Sequence, residues 1–340
     1  MSSPATPVPA AEALPAVRKD RIPLLLVPVL ALAALPLTGS LSTWVTLTFA
    51  GLAMGMIIFI IASGLTLVFG LMDVLNFGHG VFITLGAFLA TTVLGSMAAW
   101  TTSESLLRNL GAVLPAVLAA MAVAGIVGLA YERIIIRPVY GQPLKQILIT
   151  MGGMIVGEEL IKVVWGPEAQ PLPLPAAFRG SLIFGEAAVE KYRIAAVVVG
   201  LLVFAALYWV LTRTKVGLLI RAGVHDREMV ESMGYRIKRL FIGVFIAGSA
   251  LAGLGGVLWG LYQQGVTPQI GSQVNVLLFI VIIIGGLGSV GGCFLGALLV
   301  GLMANYTGFL APKVALFSNI LLMVLVLVWR PRGLYPVVNR

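Results

Sequence analysis

The side chains best placed to act on a solute sit together in one apolar stretch. In I-V-G-E-E-L-I-K-V-V-W at 155–165, Glu158 and Glu159 stand among aliphatic residues, with Lys162 four and three positions further on. On a helix those spacings put the ammonium group on the same face as either carboxylate. Charges inside a membrane span are costly, and they either pair with one another or line a pathway. Two readings therefore fit. One is a neutralised pair at a helix contact with Lys162 reaching outward; the other is a carboxylate at the outer end of a passage that meets a passing solute. Trp165 marks an outer interface, which sets Glu158 roughly 10 Å deeper at about 1.5 Å per residue.

The other candidates are polar groups at breaks in apolar runs. Asn76-Phe77-Gly78-His79-Gly80 carries glycines that permit a sharp bend. A helix broken there exposes free amides that can hold a carboxylate, although a lone histidine is more often a hydrogen-bonded structural residue. Gly285 to Gly292 forms a second break, or a site of close packing. The pairs Gly51/Gly55, Gly256/Gly260 and Gly292/Gly296 have the spacing that lets helix backbones touch. Gln263 and Asn275 are polar near the outer ends of their spans. Asn76, His79, Glu158, Glu159, Gln263 and Asn275 are thus the candidates for a translocation path.

Several chemistries are not expected. Cys293 stands alone and cannot form an internal disulfide, and with only His79 and His225, far apart, no structural zinc site is expected. There is no G-x-x-x-x-G-K-[ST], no G-x-S-x-G and no H-E-x-x-H. A transport role without its own ATPase, and with no cofactor in this chain, is the expectation.

These residues must be positioned by membrane-spanning helices. Charged residues make up 10% of the chain against about 25% in soluble domains, and mean hydropathy is +1.05, so lipid must solvate the outside. Apolar segments run approximately over 22–39, 46–70, 78–98, 110–131, 146–165, 194–212, 240–262, 274–287, 293–309 and 314–329. The expected fold is an all-α polytopic bundle of about ten spans in one domain, 22–335, broken or re-entrant near 70–80 and 285–292. Residues 1–21, rich in Ala and Pro, read as a disordered cytoplasmic N-terminus, and 336–340 as a cytoplasmic tail. A basic cluster before 22–39 also fits a signal peptide; a retained first helix keeps the loop charges in phase. With the N-terminus inside, 16 of the 22 Lys and Arg residues fall on the inner side, the bias that orients membrane proteins. The net charge of +9 is thereby a topology signal rather than a nucleic-acid footprint.

The richest inner segment is 213–239. Asp226 is a good N-cap and Gly234 a good helix terminator. The short helix between them places Met229, Val230 and Met233 on one face and Arg227, Glu228 and Glu231 elsewhere. Such a ridge either docks in a soluble partner or lies on the membrane surface.

This segment resembles the coupling loop of permeases from the high-affinity branched-chain amino acid ABC importers. The resemblance extends over most of 44–335. It includes S-G-L-T-L-V-F-G-L-M-D-V-L-N-F-G-H-G at 63–80, Y-E-R-I-I-I-R-P-V at 131–139, L-I-T-M-G at 148–152, I-G-G-L-G-S-V-G-G-C-F-L-G at 284–296 and W-R-P-R-G-L-Y at 329–335. N-F-G-H-G resembles the LivH-type subunit in particular. The resemblance implies a permease in a bacterial-type inner membrane, carrying branched-chain or other amino acids. It also implies a second permease subunit (LivM-type, or a related copy), two cytoplasmic ATPase subunits that bind ATP and Mg, and an extracytoplasmic substrate-binding protein. It makes Asp226, Arg227, Glu228, Met229, Val230, Met233 and Gly234 the ATPase-coupling residues. The double Glu departs from the family pattern and leaves the solute open; urea or short-amide ABC permeases and gradient-driven carriers are the alternatives.

Overall fold

The computed structural model describes residues 22–225 and 227–336. Thirteen α-helices dominate the described residues: α1 Ile22–Ala34, α2 Leu41–Met72, α3 His79–Ser96, α4 Ala98–Thr101, α5 Leu106–Tyr131, α6 Pro143–Trp165, α7 Lys191–Arg213, α8 Lys215–His225, α9 Arg227–Ser232, α10 Ile237–Gln263, α11 Ile270–Gly285, α12 Val290–Leu310 and α13 Ala315–Trp329. Four short strands complete them: β1 Gln170–Pro171 pairs antiparallel with β4 Gly265–Val266, and β2 Ser181–Phe184 with β3 Ala187–Glu190. The fold is the all-α bundle expected from the sequence. Six helices (α2, α3, α5, α7, α10 and α12) are long and apolar enough to cross a membrane by length and composition. The expected disordered N-terminus lies outside the described residues, as does the end of the tail beyond 336.

Two long helices form the centre, and each ends the same way. The C-cap of α2 is Asp73 (φ 52°) and that of α10 is Gln264 (φ 54°), the two non-glycine residues with left-handed backbone among the described ones. In both cases the next helix begins six residues later, at His79 and at Ile270. Between them the chain turns back into the bundle. The first break, at 73–78, falls within the 70–80 expected to be broken; 264–269 are a matching break that was not expected.

The repeat extends further. α2 runs antiparallel to α12, with Gly51 against Leu302, Gly55 against Ala297 and Gly70 against Gly288. Likewise α10 runs antiparallel to α5, with Gly253 against Ala120 and Gly128 against Ser249. α6 follows α5 and lies beside α3, as α13 follows α12 and lies beside α11. Because α2 and α10 are themselves antiparallel, through Gly64 on Gly248 and Gly255 on Ile61, the two halves are inverted copies.

Most of these contacts are made by backbone; Gly128 and Gly255 instead meet the side chains of Ser249 and Ile61. A Cβ on Gly86 would meet the Gly253 backbone, and one on Gly256 the Ile83 carbonyl. Removing side chains lets helices approach until main chains touch, which gains dispersion contact where lipid supplies no hydrophobic drive. All three small-residue pairs expected to pack do so; Gly260 meets the side chains of Leu172 and Val266 rather than backbone.

Candidate functional site

The two breaks bring helix N-termini together inside the bundle. Gly80 on α3 and Gly271 on α11 are in backbone contact, and the Gly271 amide donates to Thr84 Oγ1 at 3.0 Å. Reciprocally, Asn275 Nδ2 on α11 donates to the Phe77 carbonyl at 2.7 Å. Thr84 and Asn275 occupy equivalent places, eleven residues past the left-handed caps Asp73 and Gln264. Each helix thus supplies a polar group to the other's exposed amino end, where unpaired amides and the helix dipole leave positive potential.

Around this junction lies a seam of buried polar atoms that are short of partners. Asn76 is fully buried, and neither its Nδ2 nor its Oδ1 has a hydrogen bond. Asn275 Oδ1 at the junction and Glu158 Oε1, one turn of α6 beyond Met154, are also shielded and unpaired, as are Gln146 Oε1 and Glu132 Oε2 toward the 132–140 turn, where their other polar atoms bond Val139 and Tyr140. Each unpaired buried group costs about 1–3 kcal/mol, and Asn76 and Asn275, whose Nδ2 reaches the Phe77 carbonyl, bring three such atoms to the junction itself, which calls for a functional reason.

α6 covers the seam. Its inward residues Gln146, Thr150, Met154 and Glu158 recur every four positions, one above the other on a helix. Thr150 Oγ1 accepts from the Phe77 amide at 3.2 Å, and the Thr150 carbonyl accepts from Tyr131 Oη at 3.1 Å. Met154 Sδ lies 3.9 Å from Asn275 Nδ2. Gly157 packs on Val81, and Trp165 Nε1 donates to Thr92 Oγ1 at 2.8 Å near the far end of α3. Otherwise α6 is held lightly, with only Gln146, Thr150 and Ile161 buried.

The six path candidates separate accordingly. Asn76, Asn275 and Glu158 line the seam. His79 sits at the same break, but its Nε2 pairs with the Ile61 carbonyl of α2 at 3.2 Å, the ordinary structural role. Glu159 faces outward and holds Lys162 Nζ at 2.6 Å, which settles which of the two acids is paired. Gln263 is exposed at the end of α10 and is not brought to the others. Thr150, Tyr131, Gln146 and Glu132 were missed. For Gln146 and Thr150 the signal was present, since a polar row at four-residue spacing through 146, 150 and 158 can be read directly from the sequence; Tyr131 and Glu132, at the end of α5 and the turn after it, lie off that row.

The matching family is described as "Branched-chain amino acid transport system / permease component", and the match covers residues 47–329. The chain belongs to this family. The permease is 30% identical over 296 residues to the high-affinity branched-chain amino acid transport system permease protein BraD of Pseudomonas aeruginosa, spanning 84% of this chain and 93% of that one. Against LivH of Salmonella typhimurium it is 26% identical over 293 residues, with the same coverage. A probable LivH of Methanocaldococcus jannaschii is 23% identical over 72% of the permease and 74% of its own length. No solved structure matches.

At the opposite end from Trp165, α8 and α9 form a second feature of the permease. α8 packs on α7 and α2, and α9 on α8 and α10. Asp226, the expected N-cap, lies outside the described residues, and the side chains of Arg227 and Glu228 are likewise not described. Gly234 ends the turn with φ 85°, as expected. The apolar ridge differs from expectation: Val230 is buried, while Met229, Met233 and Tyr235 are exposed. Adjacent positions 229 and 230 are about 100° apart on a helix, so only the i, i+4 pair Met229 and Met233 shares the outward face.

Proposed function

We propose that this chain is the translocating permease of an ATP-driven importer for branched-chain or other amino acids. The observation that carries the proposal is the seam of unpaired polar atoms beneath a lightly held α6. A solute with ammonium and carboxylate groups supplies the hydrogen bonds that Asn76, Asn275 and Glu158 lack. Glu158, further toward the Trp165 end, draws the ammonium group; the amino ends of α3 and α11 draw the carboxylate.

The exposed Met229 and Met233 face forms the dock for a cytoplasmic ATPase subunit. Its contacts through α8 and α10 tie that dock to the two central helices, so a push on α9 reaches both breaks. ATP and Mg belong to the partner subunits, and an extracytoplasmic binding protein delivers the solute. The basic bias of 213–239 supports an inner-membrane orientation with both termini cytoplasmic.

The test is uptake of labelled leucine by the assembled transporter in proteoliposomes. ATP-dependent uptake that an ionophore leaves intact, and that Glu158→Gln lowers at least several-fold, is the expected result. Uptake collapsed by the ionophore and indifferent to ATP overturns the proposal in favour of a gradient-driven carrier.

A further inference from the structure

We infer that α13 covers a second solute station, the inverted counterpart of the seam under α6, where Asn319 takes a hydrogen bond from the solute's ammonium group; the inference rests on the permease reading above. The two covers start alike. Pro143 opens α6, and Pro312 opens the one-turn helix Pro312–Val314 that leads into α13. Thr150 and Asn319 each stand seven residues past that proline, and Met154 and Met323 eleven. Like α6, α13 is lightly held, with only Ser318, Asn319 and Val326 buried among its described side chains.

The two equivalent polar groups differ in what the chain gives them to bond. Thr150 Oγ1 accepts from the amide of Phe77, four residues past the left-handed cap Asp73. Four residues past the matching cap Gln264 stands Pro268, and proline has no N–H to donate. Asn319 is 2% exposed, and its Oδ1 has no hydrogen bond. Its neighbour Ser318 is satisfied, with its hydroxyl 2.8 Å from Thr307 Oγ1 on α12. The first repeat thus closes the position with its own main chain. The second leaves a buried acceptor, on the helix beside α11, for a donor that the chain does not supply.

The surroundings identify that donor. Met323 and Val326 follow Asn319 along the same face of α13, and they offer a water none of the several polar partners it needs. They do suit the apolar body of an amino acid whose ammonium group reaches Asn319. The two stations are unequal. Fifteen residues past their prolines stand Glu158 on α6 and Leu327 on α13. Hydrogen bonds between two ionised groups are about twice as strong as neutral ones, so the solute is held under α6 and leaves quickly from the weaker station under α13.

The experiment uses the complete transporter in proteoliposomes, with Asn319→Cys, Met323→Cys, Thr150→Cys and Ile320→Cys made one at a time. Each is treated with aminoethyl methanethiosulfonate, an ammonium-bearing thiol reagent, during ATP turnover, with and without saturating leucine. Modification of this chain is read by mass spectrometry against the unsubstituted chain, whose buried Cys293 sets the background. Leucine uptake is measured on the same preparations before treatment. Asn319→Cys and Met323→Cys are expected to react well above background, and leucine to slow both at least several-fold. Ile320→Cys, on the outward face, is expected to be indifferent to leucine. Reaction at background, or reaction that leucine leaves unchanged, at both 319 and 323 overturns the inference. Leucine protection that persists at Thr150→Cys in that case leaves the permease reading standing without its second station; no protection at 150 and no ATP-driven uptake by the unsubstituted chain overturns both.

Discussion

α2 and α6 are both long helices in the same inverted repeat, yet they are held in different ways. From Met56 to Ala62 every side chain of α2 is buried to 3% exposure or less, and its glycines meet neighbouring main chain. α6 buries three residues, and its inward glycines Gly153 and Gly157 meet side chains, the Tyr131 ring and Val81. Main chain against main chain has one register. Side chains lying over a glycine can rotate or slide. The contrast assigns α2 to a fixed scaffold and α6 to a cover that can shift over the polar seam.

The largest effect should come from breaking the scaffold. Gly64→Leu drives a side chain into the Gly248 backbone and should destabilise by more than about 3 kcal/mol, beyond ordinary overpacking. Gly152→Leu, where no atom lies within 4 Å, should change the stability of the isolated chain by less than about 0.5 kcal/mol. Thermal unfolding of both variants in detergent measures the difference. Equal losses would end the distinction between scaffold and cover.

Much of this scaffold could be read from sequence, because glycine spacing and long apolar runs carry local information. The first break was legible for the same reason, with Asn76 to Gly80 interrupting an apolar pattern. Its partner at 264–269 was not. Polar residues such as Gln263 and Gln264 at the end of a span look like any exposed loop, and only tertiary structure shows the chain turning back inward. The ion pair was ambiguous because Lys162 is in reach of two acids on one helix; the inward row 146, 150, 154, 158 takes Glu158 away and leaves Glu159. At 229–233 three apolar positions within a single turn carry no periodicity, so the inward turn of Val230 was invisible.

The head-to-head junction gives the next test. Thr84→Val removes the acceptor of the Gly271 amide without changing side-chain shape much, leaving a buried donor unpaired at a cost of about 1–3 kcal/mol. Its inverted counterpart Asn275→Leu frees the Phe77 carbonyl but also removes the unpaired Oδ1, so its loss should be smaller. Chemical denaturation of the two variants orders them, and the reverse order would show that the junction is not a reciprocal pair.

Asn76→Leu should act in the opposite direction. Both of its amide atoms are buried without partners, so an apolar residue of similar size should stabilise the chain by about 1–2 kcal/mol. If Asn76 lies on the proposed path, leucine uptake should fall at the same time, because the solute loses the polar partner that Asn76 offers it. A variant that is more stable and still transports at full rate would remove Asn76 from the path and leave it a packing defect of the scaffold.

The smallest stability effect should appear at the proposed ATPase dock. Met229 and Met233 are exposed by 51% and 66%, so replacing both with Ser should leave the stability of the chain within about 0.5 kcal/mol of its starting value. Val230, 2% exposed, is part of the fold, and Val230→Ala should cost about 1–3 kcal/mol in lost burial and cavity. If α9 docks an ATPase, the methionine double variant should lose solute-stimulated ATP hydrolysis in the assembled transporter while the weaker-folding Val230→Ala retains it at low temperature. Stability and coupling then separate within a single helical turn, because the exposed side chains of Met229 and Met233 bury little area in the chain's own fold while Val230 is part of its core. Retained stimulation in the methionine variant would place the dock elsewhere and return α9 to the scaffold.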